Sequence, residues 1–141
     1  MLADYRPWRK LGDLATVLFA LGLHQELPNA PFFIREMRKR VMVAAYAIDK
    51  GLATFLGRPP LISWRYCDIT MPLDLSWEEI TAEPAVRDAA IAKLSPDGWN
   101  QDGLMWKCAL VRLTLKTSIL REKILELSLS RQTECLTQRV E

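Results

Sequence analysis

The sequence predicts an all-α fold, an irregular bundle of several helices. Apolar residues recur every three to four positions through the longer segments, as on the buried face of a helix. Clusters of glycine and proline separate these segments and end each helix. Half of the 141 residues are apolar, which is enough for a packed core and argues against disorder. We therefore expect one helical domain over residues 1–130 and a polar C-terminal tail over residues 131–141.

The first predicted helix runs from about Trp8 to Leu23. Its apolar stripe consists of Leu11, Leu14, Ala15, Leu18, Leu21 and Gly22. Basic residues precede this stretch, so a signal peptide or a membrane span is an alternative interpretation. The apolar run of ten residues is too short to cross a bilayer, and no small-residue cleavage site follows it. We therefore expect a core helix that ends near Gly22.

The second predicted helix spans residues 32–56. Its apolar stripe, and hence its expected buried face, consists of Met37, Val41, Ala44, Ala45, Ile48, Leu52 and Phe55. The charged residues Asp49 and Lys50 lie off this stripe. Gly57 follows the helix, at a position where a left-handed conformation carries no Cβ penalty, and Pro59 cannot continue a helix. The end of the second helix is therefore strongly specified.

The remainder of the chain predicts a packed loop and three further helices. Residues 61–75 carry large apolar side chains without helical periodicity, which is typical of an ordered loop over a core. Ser76 and Glu79 have the spacing of a capping box and predict a helix start. A short helix over residues 85–94 and a final helix from Leu104 to about Ser130 follow. Apolar residues cover more than one face of the final helix, so we expect it to be largely buried.

The final helix also contains the spacing of a short coiled coil. Alternating steps of three and four residues join Leu110, Leu113, Thr117, Leu120, Ile124 and Leu127, the pattern of an a and d seam. The seam covers fewer than three heptads, so docking of this stripe within the same domain is the favoured interpretation. Dimerisation through the stripe is the alternative.

Composition argues against several classes of function. Nineteen Lys and Arg residues against 17 Asp and Glu residues give a net charge of +2, which argues against a self-sufficient DNA-binding module. Cys67, Cys108 and Cys135 are 41 and 27 residues apart, which predicts buried reduced thiols and not a zinc site or a disulfide framework. The single histidine, His24, lies at a predicted helix end, and no nucleotide-binding or hydrolase motif accompanies it. We therefore expect no enzymatic activity and no cofactor or metal in this chain.

A basic cluster stands at the start of the second helix. It consists of Arg35, Arg38, Lys39 and Arg40. Such a cluster could contact phosphate or an acidic partner. Charge alone favours a solvated helix face, with Glu36 paired to the arginine four residues on.

Asp49 and Arg58 form a second candidate group. Asp49 lies eight residues before Gly57, and a carboxylate fits the guanidinium fork directionally. We expect the pair to clamp the turn after the second helix and to be structural, because no nucleophile accompanies it. Four tryptophans could line an apolar ligand pocket, although core packing is the favoured role. They are Trp64, Trp77, Trp99 and Trp106.

An ordered set of short motifs resembles the middle homology region of the fungal zinc-cluster transcription factors, the fungal-specific transcription factor domain. These motifs are Leu21-Gly22-Leu23-His24, Arg38-Lys39-Arg40, Asp49 before Gly57-Arg58-Pro59, Arg65-Tyr66-Cys67-Asp68 and Met71-Pro72-Leu73-Asp74. Asp97-Gly98-Trp99-Asn100 resembles one large subgroup of these regulators. The chain departs from the pattern where Met42 and Val43 replace a frequent tryptophan pair, and in lacking the six-cysteine zinc cluster.

The resemblance implies the regulatory domain of a nuclear transcription factor, incomplete in this chain, which modulates transcription by RNA polymerase II in a full-length zinc-cluster protein. It implies an architectural role for one set of residues: Arg38, Lys39, Arg40, Asp49, Gly57, Arg58, Pro59, Asp68 and Pro72. Zinc and DNA would be bound only by an N-terminal cluster outside this sequence.

The resemblance leaves the partners open. Protein partners or a small effector are expected, without membrane contact, and homodimerisation is an alternative. The second hypothesis is a stand-alone helical interaction or dimerisation module without DNA-binding activity. An incomplete domain should also expose apolar patches and tend to associate.

Overall fold

The computed structural model describes residues 5–105 and 107–130. Over these residues the fold is all-α, as predicted, with five helices and one isolated β-bridge. The helices are α1 (Arg6–Ala20), α2 (Phe32–Leu56), α3 (Trp77–Thr81), α4 (Pro84–Ala92) and α5 (Lys107–Leu129). A single 3-10 turn, Trp64–Tyr66, interrupts the connection between α2 and α3. The predicted polar tail lies outside the described residues.

Helix α2 is the centre of the molecule. It packs along α5 and also contacts α1 and α3. The main core cluster combines residues of all three long helices and of the loop after α2: Ala15, Leu18, Met42, Val43, Ala45, Tyr46, Ile62 and Leu115. A smaller cluster of Leu75, Ile80 and Ala90 joins α3 to α4. The short helices α3 and α4 therefore form a small second cluster that packs beside the core of α1, α2 and α5.

Glycines end α1 and α2, as the sequence predicts. Gly57 has φ +62° directly after α2, and the N–H of Arg58 donates to Ala53 O at 3.1 Å. Gly22 has the same φ of +62° after α1, and the N–H of Leu23 donates to Leu18 O at 3.0 Å. Both geometries satisfy carbonyls that a helix end leaves without partners.

The predicted capping box at the start of α3 is confirmed. The hydroxyl of Ser76 accepts from the N–H of Glu79 at 3.2 Å. The Glu79 carboxylate accepts from the N–H of Ser76 at 2.7 Å. This reciprocal pair fixes where the loop after α2 turns into α3.

The buried face of α2 differs from the predicted one. Val41 and Ile48 are about half exposed and Phe55 is 85% exposed, although all three belong to the predicted stripe. Of the predicted stripe only Ala45 is buried, and the other buried residues of α2 are Glu36, Met42, Val43, Tyr46, Asp49, Lys50 and Ala53. The prediction placed charged residues in solvent by default, whereas this helix buries three of them in hydrogen bonds with the rest of the chain.

Helix α5 also presents a different face from the one predicted. The side chains of the a and d seam are exposed, with Leu113 at 44% and Leu120 at 59%. The opposite face docks on the core through Cys108, Arg112, Leu115, Ser118, Glu122 and Leu125. The expectations that α5 is largely buried and that its seam docks within the domain are therefore wrong. The inward face carries the polar groups that the loop after α2 needs as partners.

Candidate functional site

The segment between α2 and α3 is bound to the helices by many side-chain hydrogen bonds. We call residues 57–76 the connecting segment. It has little regular structure, so its backbone N–H and C=O groups need partners outside it. Buried charged side chains of α2 and α5 supply many of these partners, and they form the candidate site.

Asp49 and Lys50 of α2 bind the start of the connecting segment. The Asp49 carboxylate accepts from the N–H of Leu61 at 2.9 Å and from the N–H of Ile62 at 3.0 Å. The Lys50 ammonium lies 2.7 Å from the same carboxylate and donates to the carbonyl of Ile62. Both side chains are fully buried. Because each charge meets its opposite and a backbone group, their burial is compensated.

Tyr46 and Glu122 join α2, α5 and the 3-10 turn. The Tyr46 hydroxyl donates to the Glu122 carboxylate, which also accepts from the N–H of Trp64 at 3.1 Å. Burial alone would raise the pKa of Glu122, but hydrogen bonds from Tyr46, Ser63 and Trp64 hold that pKa below its ordinary value. Burial and the adjacent carboxylate raise the pKa of Tyr46 strongly. The pair is therefore a neutral phenol bound to a carboxylate.

Glu36 and Arg40 bind the end of the connecting segment. The Glu36 carboxylate accepts from Arg40 at 2.8 Å and from the N–H of Leu73 at 3.0 Å. The Arg40 guanidinium reaches the carbonyl of Leu73 at 3.2 Å, and the Cys108 thiol donates to that carbonyl at 2.8 Å. The predicted pairing of Glu36 with Arg40 is confirmed, but the pair is buried against the loop and not solvated.

Arg112 of α5 binds two further carbonyls in the loops. Its guanidinium donates to Pro72 O and Asp97 O and lies 4.2 Å from the centre of the Trp99 ring. Burial lowers the pKa of Arg112, although Asp74 nearby acts in the opposite direction. Arg112 therefore links the connecting segment to the loop before α5.

Arg38 binds the end of α1. Its guanidinium donates to the carbonyl of Gly22 at 2.6 Å and to that of Leu21 at 3.4 Å. A cation at this position complements the partial negative charge of the helix C-terminus. Lys39 forms ion pairs with Glu36 at 3.2 Å and with Glu26 at 3.6 Å. Arg38, Lys39 and Arg40 thus all make internal contacts, so the interpretation of a solvated basic face is wrong.

Two of the short motifs meet in space. The N–H of Asp68 donates to the carbonyl of His24 at 2.7 Å, and the N–H of Glu26 donates to the carbonyl of Asp68 at 2.9 Å. These bonds form the isolated parallel bridge between Gln25 and Asp68. The Asp68 side chain itself is exposed, so its backbone makes this contact.

Asp49 and Arg58 do not form the predicted ion pair. Asp49 is committed to Lys50 and to the backbone of Leu61 and Ile62, while the Arg58 guanidinium lies over the Trp8 ring, 5.8 Å from its centre. The carboxylate points toward the core, and the left-handed turn at residue 57 carries Arg58 toward α1. The predicted pair is therefore wrong, and Asp49 holds the backbone of Leu61 and Ile62 in place of Arg58.

The other motif residues lie in the same region. Gly57 ends α2, and the buried Pro72 offers its carbonyl to Arg112. Pro59 is exposed. Cys67 is half-buried and outside any disulfide, and burial together with Glu122 raises the pKa of its thiol to about 11, so little thiolate is present at neutral pH. Cys135 lies outside the described residues.

Sequence reasoning missed the buried partners Lys50, Tyr46, Glu122 and Arg112. The sequence contains a signal for two of the four: Arg112 and Glu122 stand on the inward face of α5, at positions where an apolar residue would be expected. Which loop they bind depends on tertiary contacts, which periodicity does not encode.

The tryptophans lie at separate places. Trp64 packs on Tyr46 with ring centres 5.2 Å apart, Trp77 meets Phe33 at 5.6 Å, and Trp99 lies beneath Arg112. Trp106 is not among the described residues. A half-open cavity of about 400 Å³ adjoins Trp77 and is otherwise lined mainly by Arg40, Ile80, Cys108 and Val111. A common tryptophan pocket is therefore not formed by Trp64, Trp77 and Trp99.

In the part of the chain that the structure describes, no helix is both long enough and apolar enough to span a membrane. In residues 5–105 and 107–130, no three His, Cys, Asp or Glu side chains converge as metal ligands.

The chain also matches a known protein family. Residues 4–103 match the profile of the fungal specific transcription factor domain. No solved structure matches the chain significantly.

Three curated proteins are similar to parts of the chain. The Pyrrolocin cluster transcription factor fsdR of a fungal species (strain NRRL 50135) is 30% identical over 82 residues, 54% of this chain and 11% of that protein. Activator of stress genes 1 of Saccharomyces cerevisiae is 37% identical over 84 residues, covering 57% of this chain and 9% of that protein. Pyrimidine pathway regulatory protein 1 of the same yeast is 33% identical over 54 residues, 37% of this chain and 6% of that protein. The chain thus matches about a tenth or less of the length of these relatives.

Proposed function

Because the chain belongs to the family of fungal specific transcription factor domains, we propose that it regulates the activity of a nuclear transcription factor of the zinc-cluster type. The match of residues 4–103, about 70% of the chain, is the observation that carries this proposal. The similarity to three fungal regulators supports a role in transcription and argues against an enzyme. In a full-length protein the domain would modulate transcription by RNA polymerase II. DNA binding and zinc would belong to a separate N-terminal cluster.

The contacts of the connecting segment support a regulatory role of a specific kind. Charged side chains of α2 and α5 bind this segment at its start, middle and end. A shift of α5 would strain or break the bonds of Glu122 and Arg112 to the loop. A ligand or partner that displaces α5 would therefore change the position of the whole segment.

The cavity beside Trp77 is the proposed place for a small effector. Its lining is mostly apolar, with the Arg40 guanidinium and the Cys108 thiol at one side. Ligand pockets in proteins commonly combine an apolar lining with a few polar groups. An apolar molecule there would contact α3 and α5 together.

A reporter assay tests the regulatory role. The chain is inserted between a heterologous DNA-binding domain and an activation peptide in yeast, and a flexible linker of equal length replaces it in the reference fusion. We expect the chain to change the reporter transcript by at least about fivefold relative to the linker, the range of ordinary regulatory coupling. Equal transcript levels from two equally abundant fusions would contradict the proposal.

A second candidate function is a stand-alone interaction or dimerisation module. The exposed apolar stripe of α5 is the observation that favours it. This function predicts binding to a protein partner without any effect in the reporter assay.

A further inference from the structure

The outer face of α5 carries a continuous apolar stripe. We call this the outer stripe: Leu110, Leu113, Thr117, Leu120, Ile124 and Leu127. Its five large apolar side chains are between 44% and 59% exposed. At the rise of an α-helix, the stripe extends over about 26 Å, the length of a helix of five turns. A stripe of this length and spacing is suited to packing against another helix.

Basic residues flank the outer stripe on both sides. Lys116 and Lys123 occupy g positions and Arg121 an e position of the heptads, and all three are exposed. The Lys116 ammonium also lies 5.3 Å from the centre of the Trp99 ring. The other e and g positions from 109 to 128 hold alanine, threonine or serine, so none of them carries an acid.

The acids of α5 lie elsewhere. Glu122 is buried against the core, where it binds Tyr46 and Trp64. Glu126 forms an ion pair with Arg65 at 3.2 Å. The flanks of the outer stripe are therefore positive, with no described acid of α5 free to neutralise them.

A groove runs beside the stripe. It has a volume of about 460 Å³ and lies between the end of α2 and the last turns of α5. Thr54 and Gly57 form one wall, and Leu120, Ile124 and Arg121 form the other. An apolar side chain of a bound helix could enter this groove while an acid beside it reached Arg121.

We propose that the outer stripe is a docking site for an amphipathic helix of another protein, with leucine-like residues along its seam and acidic residues on its flanks. The seam would cover the stripe, and the acids would pair with Lys116, Arg121 and Lys123. A second copy of α5 fits less well. In a parallel pair Lys116 of one chain faces Arg121 of the other, and an antiparallel pair also sets cations against each other.

The inference goes beyond the regulatory role, because a docked helix of this kind is required by neither the family match nor the connecting segment. The test is peptide binding to the purified 141-residue chain, followed by fluorescence anisotropy. One labelled peptide of three heptads carries leucine at a and d and glutamate at e and g. A matched peptide carries lysine at e and g.

We expect the acidic peptide to bind at least about tenfold more tightly than the basic peptide at low salt. The double variant Leu113→Ser/Leu120→Ser should weaken binding of the acidic peptide by more than about tenfold. Lys116→Glu/Lys123→Glu should reverse the preference between the two peptides. All these side chains are exposed, so the variants should keep the helical circular dichroism of the original chain.

Two exposed residues on other helices provide controls. Val86→Ser on α4 and Lys10→Glu on α1 remove an apolar group and reverse a charge away from the outer stripe. Both variants should bind the acidic peptide as the original chain does. Equal weakening by these controls would mean that binding is not at the stripe and would overturn the proposal.

Two other outcomes overturn it as well. A dimer in sedimentation velocity that Leu120→Ser dissociates, and that neither peptide displaces, would assign the stripe to a second copy. If the chain is a monomer and binds neither peptide, the outer stripe is not a docking site for an acidic helix. Both results are independent of the reporter assay, so failure of this inference and failure of the regulatory role are distinguishable.

Discussion

At the scale of single residues, the molecule uses buried charges as backbone partners. Asp49, Lys50 and Glu36 are at most 1% exposed, yet each meets an opposite charge and a group of the connecting segment. Such contacts contribute little net stability compared with an apolar core, but the removal of one partner leaves a buried charge without compensation. We expect their main effect to be the selection of one conformation of the loop.

Asp49→Asn tests this interpretation. The change leaves the Lys50 ammonium buried without its counter-charge and should lower the free energy of unfolding by about 3 kcal/mol, measured by urea denaturation. Asp13→Asn, on the exposed face of α1, is the matched control and should change it by less than about 0.5 kcal/mol. Arg58→Ala removes only a contact with Trp8 and should cost about 0.5–1 kcal/mol. If Arg58→Ala lowers the free energy of unfolding more than Asp49→Asn does, the Asp49–Arg58 pair that the sequence predicted would be supported.

Glu122 should contribute to the loss of stability of the folded chain in acid. Its pKa in the folded chain lies below the ordinary value of 4.5, so the unfolded chain binds more protons near that pH. The stabilisation from this carboxylate is fully present above pH 4.5 and is lost as the pH falls through its lowered folded pKa. Glu122→Gln removes the titrating group.

Urea denaturation at about pH 5, 4 and 3 measures this effect. The variant should be less stable than the original chain at pH 5, and this difference should shrink toward pH 3 because the original chain loses the carboxylate's contribution. An unchanged slope would assign the acid sensitivity to other carboxylates, of which Glu26 also has a lowered pKa.

At the scale of elements, the sequence determines where helices end better than which face they bury. Gly57 and the Ser76–Glu79 pair act through local backbone geometry, so their positions could be predicted without tertiary structure. The buried face of α2 depends on Asp49 and Lys50 finding partners twelve or more residues away. The same limit explains the contacts of Arg112 and Glu122, and hence most of the candidate site.

Gly98 lies in the loop before α5, next to the Asp97 carbonyl that Arg112 binds. It has φ +78°, and an added Cβ would lie 3.0 Å from Leu73 Cδ2 and 3.2 Å from the Arg112 guanidinium. Gly98→Ala should therefore cost about 2–3 kcal/mol, measured by thermal or urea denaturation. Gly103→Ala is the control, because Gly103 has φ +70° with nothing within 4 Å of the added Cβ. It should cost about 1 kcal/mol, and equal losses would show that the contacts with Leu73 and Arg112 do not matter.

At the scale of the whole molecule, the described residues expose large apolar side chains beyond the outer stripe. Phe55 is 85% exposed and Met105 is 74% exposed. The sequence predicted such exposure and, with it, a tendency to associate. Scattered apolar residues are ordinary on protein surfaces, whereas the stripe is continuous and flanked by cations.

Salt should separate two kinds of association. Self-association through the outer stripe is opposed by Lys116 and Arg121, so added salt should strengthen it by screening their repulsion. Binding of the acidic peptide should weaken under the same change. Sedimentation velocity at low and high salt measures the first effect, with Lys116→Gln/Lys123→Gln as the variant that should lose the salt dependence. If added salt weakens self-association, the two chains must attract each other through opposite charges, and the contact must lie outside the outer stripe.

The bond from Tyr46 to Glu122 spans 76 residues, and it has a consequence for how the protein is made. While the ribosome is still adding α5, Tyr46 of the completed α2 lacks Glu122 as a partner, and the part of its core face that α5 covers is still bare. Closing so long a loop is slow compared with the formation of a helix. Newly made chains should therefore depend on chaperones until α5 has left the exit tunnel, and a nonsense mutation near codon 105 should yield a product that is degraded and not a smaller working domain.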